Sequence, residues 1–135
     1  MDRIFLDANV LFSAAYLENS RLGRLWLLED IELLSSAYAI EEARRNLALD
    51  RPPALTRLEE LTPKLTLINP RHDFNTPAGL RLDSKDRAIL RAAIHSKADF
   101  LLTGDSRLFG HLYGKCAESV IVLRPAQYFE RRSRR

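Results

Sequence analysis

The chain has little cysteine, no histidine in a ligand-like spacing and no long apolar run, and each shortage removes a class of function. Its one cysteine among 135 residues, Cys116, excludes an internal disulfide. Cys116 also has no evident activating partner, and no GxSxG turn exists, so nucleophilic serine or cysteine chemistry has no support. The histidines His72, His95 and His111 are scattered, without an HxxxH spacing, and read as surface residues. No apolar stretch approaches the roughly 20 residues that span a bilayer as a helix. The start MDRIFLDANV is too short and too acidic for a signal peptide, so the expected location is the cytoplasm, away from membranes.

An excess of one charge is also lacking once the C-terminus is set aside. The net charge of +3 reduces to 17 basic against 18 acidic residues without Arg131, Arg132, Arg134 and Arg135. The expected organisation is therefore one near-neutral domain over residues 1–130 and a basic tail over 131–135. Two readings of that tail stand: a solvated, disordered end, as termini commonly are, or a phosphate contact that releases counterions from nucleic acid. With 46% apolar residues, the length suits a single core.

Apolar runs alternate with helical patterns along the chain. Strands are expected at Arg3 to Leu6, Ile31 to Leu34, Lys64 to Ile68, Asp99 to Leu102 and Val120 to Leu123. Between them, helices are expected over Asn9 to Leu17, from a Ser20 cap to Glu29, from Ser35 or Ser36 through Leu47, over Ala54 to Leu61, and from a Ser84 cap through Ile94. Residues 71–83 read as a loop. Buried strands joined by helices imply an α/β fold with a parallel sheet covered on both faces, because parallel neighbours need crossovers. The first two helices carry more apolar surface than one sheet face covers, so a homodimer is expected.

Four carboxylates stand out by position. Asp7 closes the first apolar run and Asp105 follows the fourth through Thr103 and Gly104, so both leave the carboxyl ends of strands, the edge where open α/β sheets bind ligands. Asp86 falls near the middle of the stripe Ile89, Leu90, Ala93 and Ile94, where an unpaired carboxylate costs several kcal/mol. Glu42 borders the inward stripe of its helix, whereas Glu41 projects outward. Each also has a structural reading: Asp86 as a first-turn acid favoured by the helix dipole, Glu42 as a solvated border residue, Asp7 and Asp105 as caps. If the first and fourth strands are neighbours the four acids converge, and their repulsion then requires a cation. An all-oxygen set without histidine or cysteine favours Mg²⁺ or Mn²⁺ over Zn²⁺.

Taken in order, DANVLFSA from Asp7, IEEARRNL around Glu42, KDRAILRAA around Asp86 and TGD ending in Asp105 resemble the PIN-domain ribonucleases, and most closely the VapC-like toxins of bacterial toxin-antitoxin systems. The resemblance covers the chain up to the tail. It implies a three-layer α/β/α fold with a five-stranded parallel sheet ordered 3-2-1-4-5. Asp7, Glu42, Asp86 and Asp105 take the family's acidic positions, and Asn9 and Thr103 its supporting polar positions. The implied activity is divalent-metal-dependent hydrolysis of RNA phosphodiesters. Asp7, Asp86 and Asp105 would bind metal, and Glu42 a second metal or the attacking water. Lys85, Arg87 and Arg107 flank the acids and either hold the substrate backbone or are solvated charges. An antitoxin protein is the implied partner. Two alternatives remain: a catalytically silent PIN-fold module that binds RNA or protein, and a related DNA nuclease. A haloacid-dehalogenase-like phosphatase would want aspartate where Asn9 stands.

Overall fold

The structure is a computed structural model. It describes residues 1–68, 84–104, 114 and 116–134, and of residues 84–86 and 117 the backbone alone. Among the described residues six strands form one sheet: β1 Asp2–Leu6, β2 Ile31–Ser36, β3 Thr66–Ile68, β4 Phe100–Leu102, β5 Cys116–Ala117 and β6 Val120–Leu123. Their order is β3-β2-β1-β4-β6-β5. Strands β3, β2, β1, β4 and β6 run parallel, which is the five-stranded 3-2-1-4-5 sheet the resemblance implies. Strand β1 lies centrally, with Ile4, Phe5 and Leu6 fully buried, as a parallel strand covered on both faces must be.

The two residues of β5 add an antiparallel edge to β6. Glu118 and Ser119 join them with φ of +49° and +74°. Two consecutive positive φ values match the twist of a tight hairpin, a site usually given to Asn-Gly. With Glu-Ser there, the sequence carries no signal for this strand.

The described helices are α1 Ala8–Tyr16, α2 Ala37–Asp50, α3 Leu55–Leu61, α4 Ser84–His95 and α5 Pro125–Ser133. Crossovers β1–β2 and β2–β3 step one way across the sheet and β3–β4 the other. Right-handedness therefore puts their helices on opposite faces. Helix α1 packs on α2 and α3, whereas α4 packs on β2 and β4. Ala39, Ala43 and Leu47 of α2 are buried and Ile40 beside them is half-buried. The expected cap at Ser36 is present, its hydroxyl accepting from Ala39 N at 3.1 Å. Helix α4 begins on Ser84 itself, one residue earlier than a Ser84 cap would give.

Two segments differ from the sequence expectation. The helix expected from Ser20 to Glu29 is a 3₁₀-helix over Arg21–Leu27, with the Ser20 hydroxyl capping Leu22 N at 3.3 Å. Its burial repeats every three residues: Arg21, Arg24 and Leu27 are exposed, while Leu22, Leu25 and Leu28 turn inward. That is the eclipsed i, i+3 geometry of a 3₁₀-helix. The Trp26 indole N–H closes the segment onto α3 by donating to Leu61 O at 3.1 Å. Much of the apolar surface that motivated a dimer is thus buried within the chain, although Leu17 and Leu27 remain outside at 52% and 80% exposure.

The second difference is α5, which carries Arg131 and Arg132 in its last turn, so these two arginines are helical. Pro125 suits the first helical position, and the Gln127 side chain accepts from Arg124 N at 2.8 Å. Cations in a last turn complement the helix dipole. Tyr128 anchors the helix: it is fully buried, meets Phe100 edge-on at 5.2 Å and donates its hydroxyl to Asp2 Oδ2 at 2.7 Å.

Candidate active site

Five polar or charged residues are buried among those described, and four of them, Asp7, Ser35, Ser36 and Thr103, gather at the carboxyl edge of the sheet. A buried polar group is informative where an exposed one is not. Register explains the gathering. Leu6 pairs with Leu102, so Asp7 and Thr103 leave neighbouring parallel strands at one level. Asp7 N donates to Leu102 O at 3.1 Å, and Thr103 N to Leu123 O at 3.1 Å, which carries the ladder one residue beyond the strands.

The Asp7 carboxylate is only 5% exposed and is held from both oxygens. Oδ1 accepts from Ala8 N at 2.7 Å, making Asp7 the cap of α1. Oδ2 accepts from the Thr103 hydroxyl at 2.8 Å and from Asn9 Nδ2 at 3.2 Å. The same Asn9 nitrogen reaches Thr103 Oγ1 at 3.2 Å, and Asn9 Oδ1 accepts from Gly104 N at 2.7 Å. An asparagine suits this position, since its amide donates toward Asp7 and Thr103 from one end and accepts from Gly104 at the other. Asn9 and Thr103, the two polar positions named by the resemblance, both contact Asp7.

Two contributors were missed at the sequence level. The buried Ser35 hydroxyl donates to Leu6 O at 2.9 Å and ties the end of β2 to the end of β1. Gly104 fixes the Asn9 amide through its backbone, a contact that no residue type announces. A Cβ at Gly104 would lie 3.4 Å from Asn9 Oδ1, so the close approach uses a position without a side chain.

Glu42 stands on α2, in the second turn after the Ser36 cap, and is half-buried. Glu41 is exposed and engaged elsewhere: Arg44 Nη1 donates to its Oε2 at 2.7 Å, and Arg44 Nε reaches Glu59 at 3.3 Å. Chiefly through the Glu41 hydrogen bond, the Arg44 guanidinium is pushed above its ordinary value. The backbone of α4 puts Asp86 in the first turn, three and four residues before the buried Ile89 and Leu90. Arg87 is exposed. Lys85 is placed by its backbone alone, and Asp105 and Arg107 lie outside the described residues.

The donor chemistry fits a hard cation. Asp7 contributes carboxylate oxygen from a rigid, nearly dry position, and every other expected ligand is also a carboxylate. Among the described residues no three acidic, histidine or cysteine side chains come together. The expected cluster, however, includes Asp86 and Asp105, whose side chains are outside that description.

A PIN domain family model matches residues 3–107, more than three-quarters of the chain. The chain belongs to the PIN domain family. Solved structures agree in fold. This PIN domain superposes with TM-score 0.61 on a chain of the VapBC2 complex from Rickettsia felis bound to a DNA fragment from its promoter, at 16% identity over 90% of this chain and 98% of that one. It superposes with TM-score 0.58 on a chain of VapBC-1 from nontypeable Haemophilus influenzae, at 17% identity over 90% and 97%. No curated protein matches it in sequence. The family match stops before α5, which the PIN domain therefore carries beyond the matched region.

Proposed function

We propose that this PIN domain is a metal-dependent ribonuclease and the toxin component of a toxin-antitoxin pair. The observation that carries the reading is the buried Asp7 carboxylate at the carboxyl end of the central strand, locked by Thr103 and Asn9 from either side of the β1–β4 seam. A carboxylate so desolvated stabilises nothing by itself and is compensated by hydrogen bonds here and, in the proposal, by a cation. Asp7, Asp86 and Asp105 would hold Mg²⁺ or Mn²⁺, with Glu42 at a second metal position or orienting the attacking water. When bound, such an ion lowers the pKa of a coordinated water and offsets charge on the phosphate oxygens. The residues supply the rest. Thr103 and Asn9 keep the Asp7 oxygens aimed, and Lys85, Arg87 and Arg107 draw the RNA backbone toward the acids.

An antitoxin would silence such a site by placing an arginine or lysine against the acids. The VapBC assemblies that share this fold support that partner. A homodimer and a cytoplasmic location complete the proposal. The exposed Leu17 and Leu27 support the first, and the finding that no described helix is long and apolar enough to cross a membrane is compatible with the second.

The test is cleavage of single-stranded RNA and single-stranded DNA of equal length with Mg²⁺, Mn²⁺ or EDTA. RNA cleavage with metal, abolished by EDTA and by Asp7→Asn, is the expected result. Selective cutting of DNA would make the chain a DNA nuclease, and binding without cutting of either would make it a silent module.

A further inference from the structure

Away from the acids, the 3₁₀-helix Arg21–Leu27 and helix α5 enclose a groove of about 260 Å³ lined by Arg21, Arg24, Ala126 and Phe129. We propose that this groove is a second RNA-contacting site, in which the strand's phosphates meet Arg21 and Arg24 and one base stacks on Phe129. The proposal rests on the ribonuclease reading for its choice of polyanion and on its own geometry for the site.

Three features carry it. First, Arg21 and Arg24 are three residues apart in a 3₁₀-helix, where i and i+3 eclipse, so both cations line one edge about 6 Å apart along the axis. That spacing suits successive phosphates of an extended strand. Both are exposed, and neither is in an ion pair among the described residues. Secondly, Ala126 and Phe129 are one turn apart on α5, so a small residue stands beside a ring that is half-buried and braced by Tyr128 at 6.4 Å. A ring with a fixed body and an open side is a stacking platform that accepts any base. Thirdly, the two walls are tied to each other. Arg132 Nη2 donates to Glu29 O at 3.0 Å, tying α5 to the chain just after the 3₁₀-helix. Glu130, the acid on this face of α5, is held by Arg134.

A volume just under the roughly 300 Å³ at which drug-sized ligands begin to be enclosed takes one ring system and its phosphates. Positive charge on an aromatic floor favours nucleic acid over an acidic protein segment, which would leave the ring without a stacking partner. The basic C-terminus thereby gains a structural role: Arg132 and Arg134 set the groove, and the contacts to RNA come mainly from residues 21, 24 and 129.

The test measures binding of a fluorescein-labelled single-stranded RNA of about a dozen nucleotides to the full chain in EDTA, where no cleavage intervenes, between about 50 and 200 mM salt, over which the Debye length halves. Two lost single-strand phosphate contacts flatten the log–log salt slope by about 1.4 for the Arg21→Gln, Arg24→Gln double variant, and Arg21→Lys with Arg24→Lys restores it. Phe129→Leu, which keeps an apolar side chain against the core, lowers affinity about five- to 150-fold with the slope unchanged. A thermal melt matching the wild type confirms that the variants are folded. An isotherm indifferent to Arg21 and Arg24 overturns the groove, and so does displacement of RNA by poly-glutamate at equal charge concentration. Arginine-dependent RNA binding by a protein that never cleaves RNA with metal overturns the ribonuclease reading and leaves the groove standing.

Discussion

Replacing Thr103 by valine tests whether the buried carboxylate is held in the way its contacts indicate. Valine keeps the shape of threonine and removes only the hydroxyl, which is fully buried and donates to Asp7 Oδ2 at 2.8 Å. A hydrogen bond to a charged group contributes about 1.5–3 kcal/mol. Asn9 Nδ2 would lose one acceptor but keep Asp7 Oδ2 at 3.2 Å, so little is added there. Against this, the new methyl gains up to about 0.8 kcal/mol of burial. The net expectation is a loss of about 1–2 kcal/mol in urea unfolding with EDTA present. Thr103→Ser, which retains the hydroxyl, should fall well short of that loss. Because the effect runs through Asp7, it should shrink by about 1 kcal/mol or more in an Asp7→Ala background, the coupling a double-mutant cycle reads. Calorimetric Mn²⁺ titration should show affinity reduced about 10- to 100-fold, as for other groups that orient a metal ligand. Equal losses in both backgrounds would refute the claim that Thr103 acts on Asp7.

Three further outcomes follow from the same structure. If Asp86 meets Asp7 as proposed, Asp86→Asn relieves like charge and should leave stability in EDTA unchanged or higher, and should lose most of the roughly 2.7 kcal/mol that metal at about 100 times its Kd gives the wild type; paired thermal melts decide it, and a variant destabilised in EDTA yet fully stabilised by metal would remove Asp86 from the site. Burial first, and then the bond to Asp2, push the Tyr128 phenol up to about 12 from 10.0. The folded state thus retains a proton that the unfolded state loses, so about 2–3 kcal/mol of stability should disappear as pH rises from 10 toward 12, and Tyr128→Phe should show a correspondingly flatter alkaline limb. Ser36→Ala removes the α2 cap and should cost about 1 kcal/mol in denaturant unfolding, with a loss below a few tenths contradicting the cap.

How far the fold could be read in advance depended on whether one period explained each segment. Ile4, Phe5 and Leu6, like Phe100 to Leu102, form short unbroken apolar runs that suit a doubly covered strand, and both strands lie where expected. Leu22, Leu25 and Trp26 fit a period of three as well as one of 3.6, so the 3₁₀ geometry showed itself only through Arg24 and Leu27 facing water. Helix α5 escaped because Tyr128 and Phe129 are its only large apolar residues, too few to set a period. Asp7 was legible as a strand-end acid. The clasp of the Asn9 amide by Gly104 was not, because that pairing depends on the register of β1 against β4, and register is a tertiary fact. The convergence of Asp7 with Glu42, Asp86 and Asp105 remains a proposal for the measurements above.

The seam between β1 and β4 is fastened at both ends. At the carboxyl end stand Asp7, Asn9, Thr103 and Gly104; at the amino end Arg3 N donates to Asp99 Oδ2 at 2.8 Å and the Arg3 guanidinium to Ser96 O at 2.9 Å. A seam closed at both ends does not fray, so its amides should exchange with solvent deuterium only when the whole domain opens. Asp7 N, bonded to Leu102 O, lies in that seam. The acid at the centre of the proposed chemistry should then belong to the slowest-opening unit of the molecule. Any adjustment to a substrate or inhibitor must come from the helices around it, while the reference point they close upon stays still.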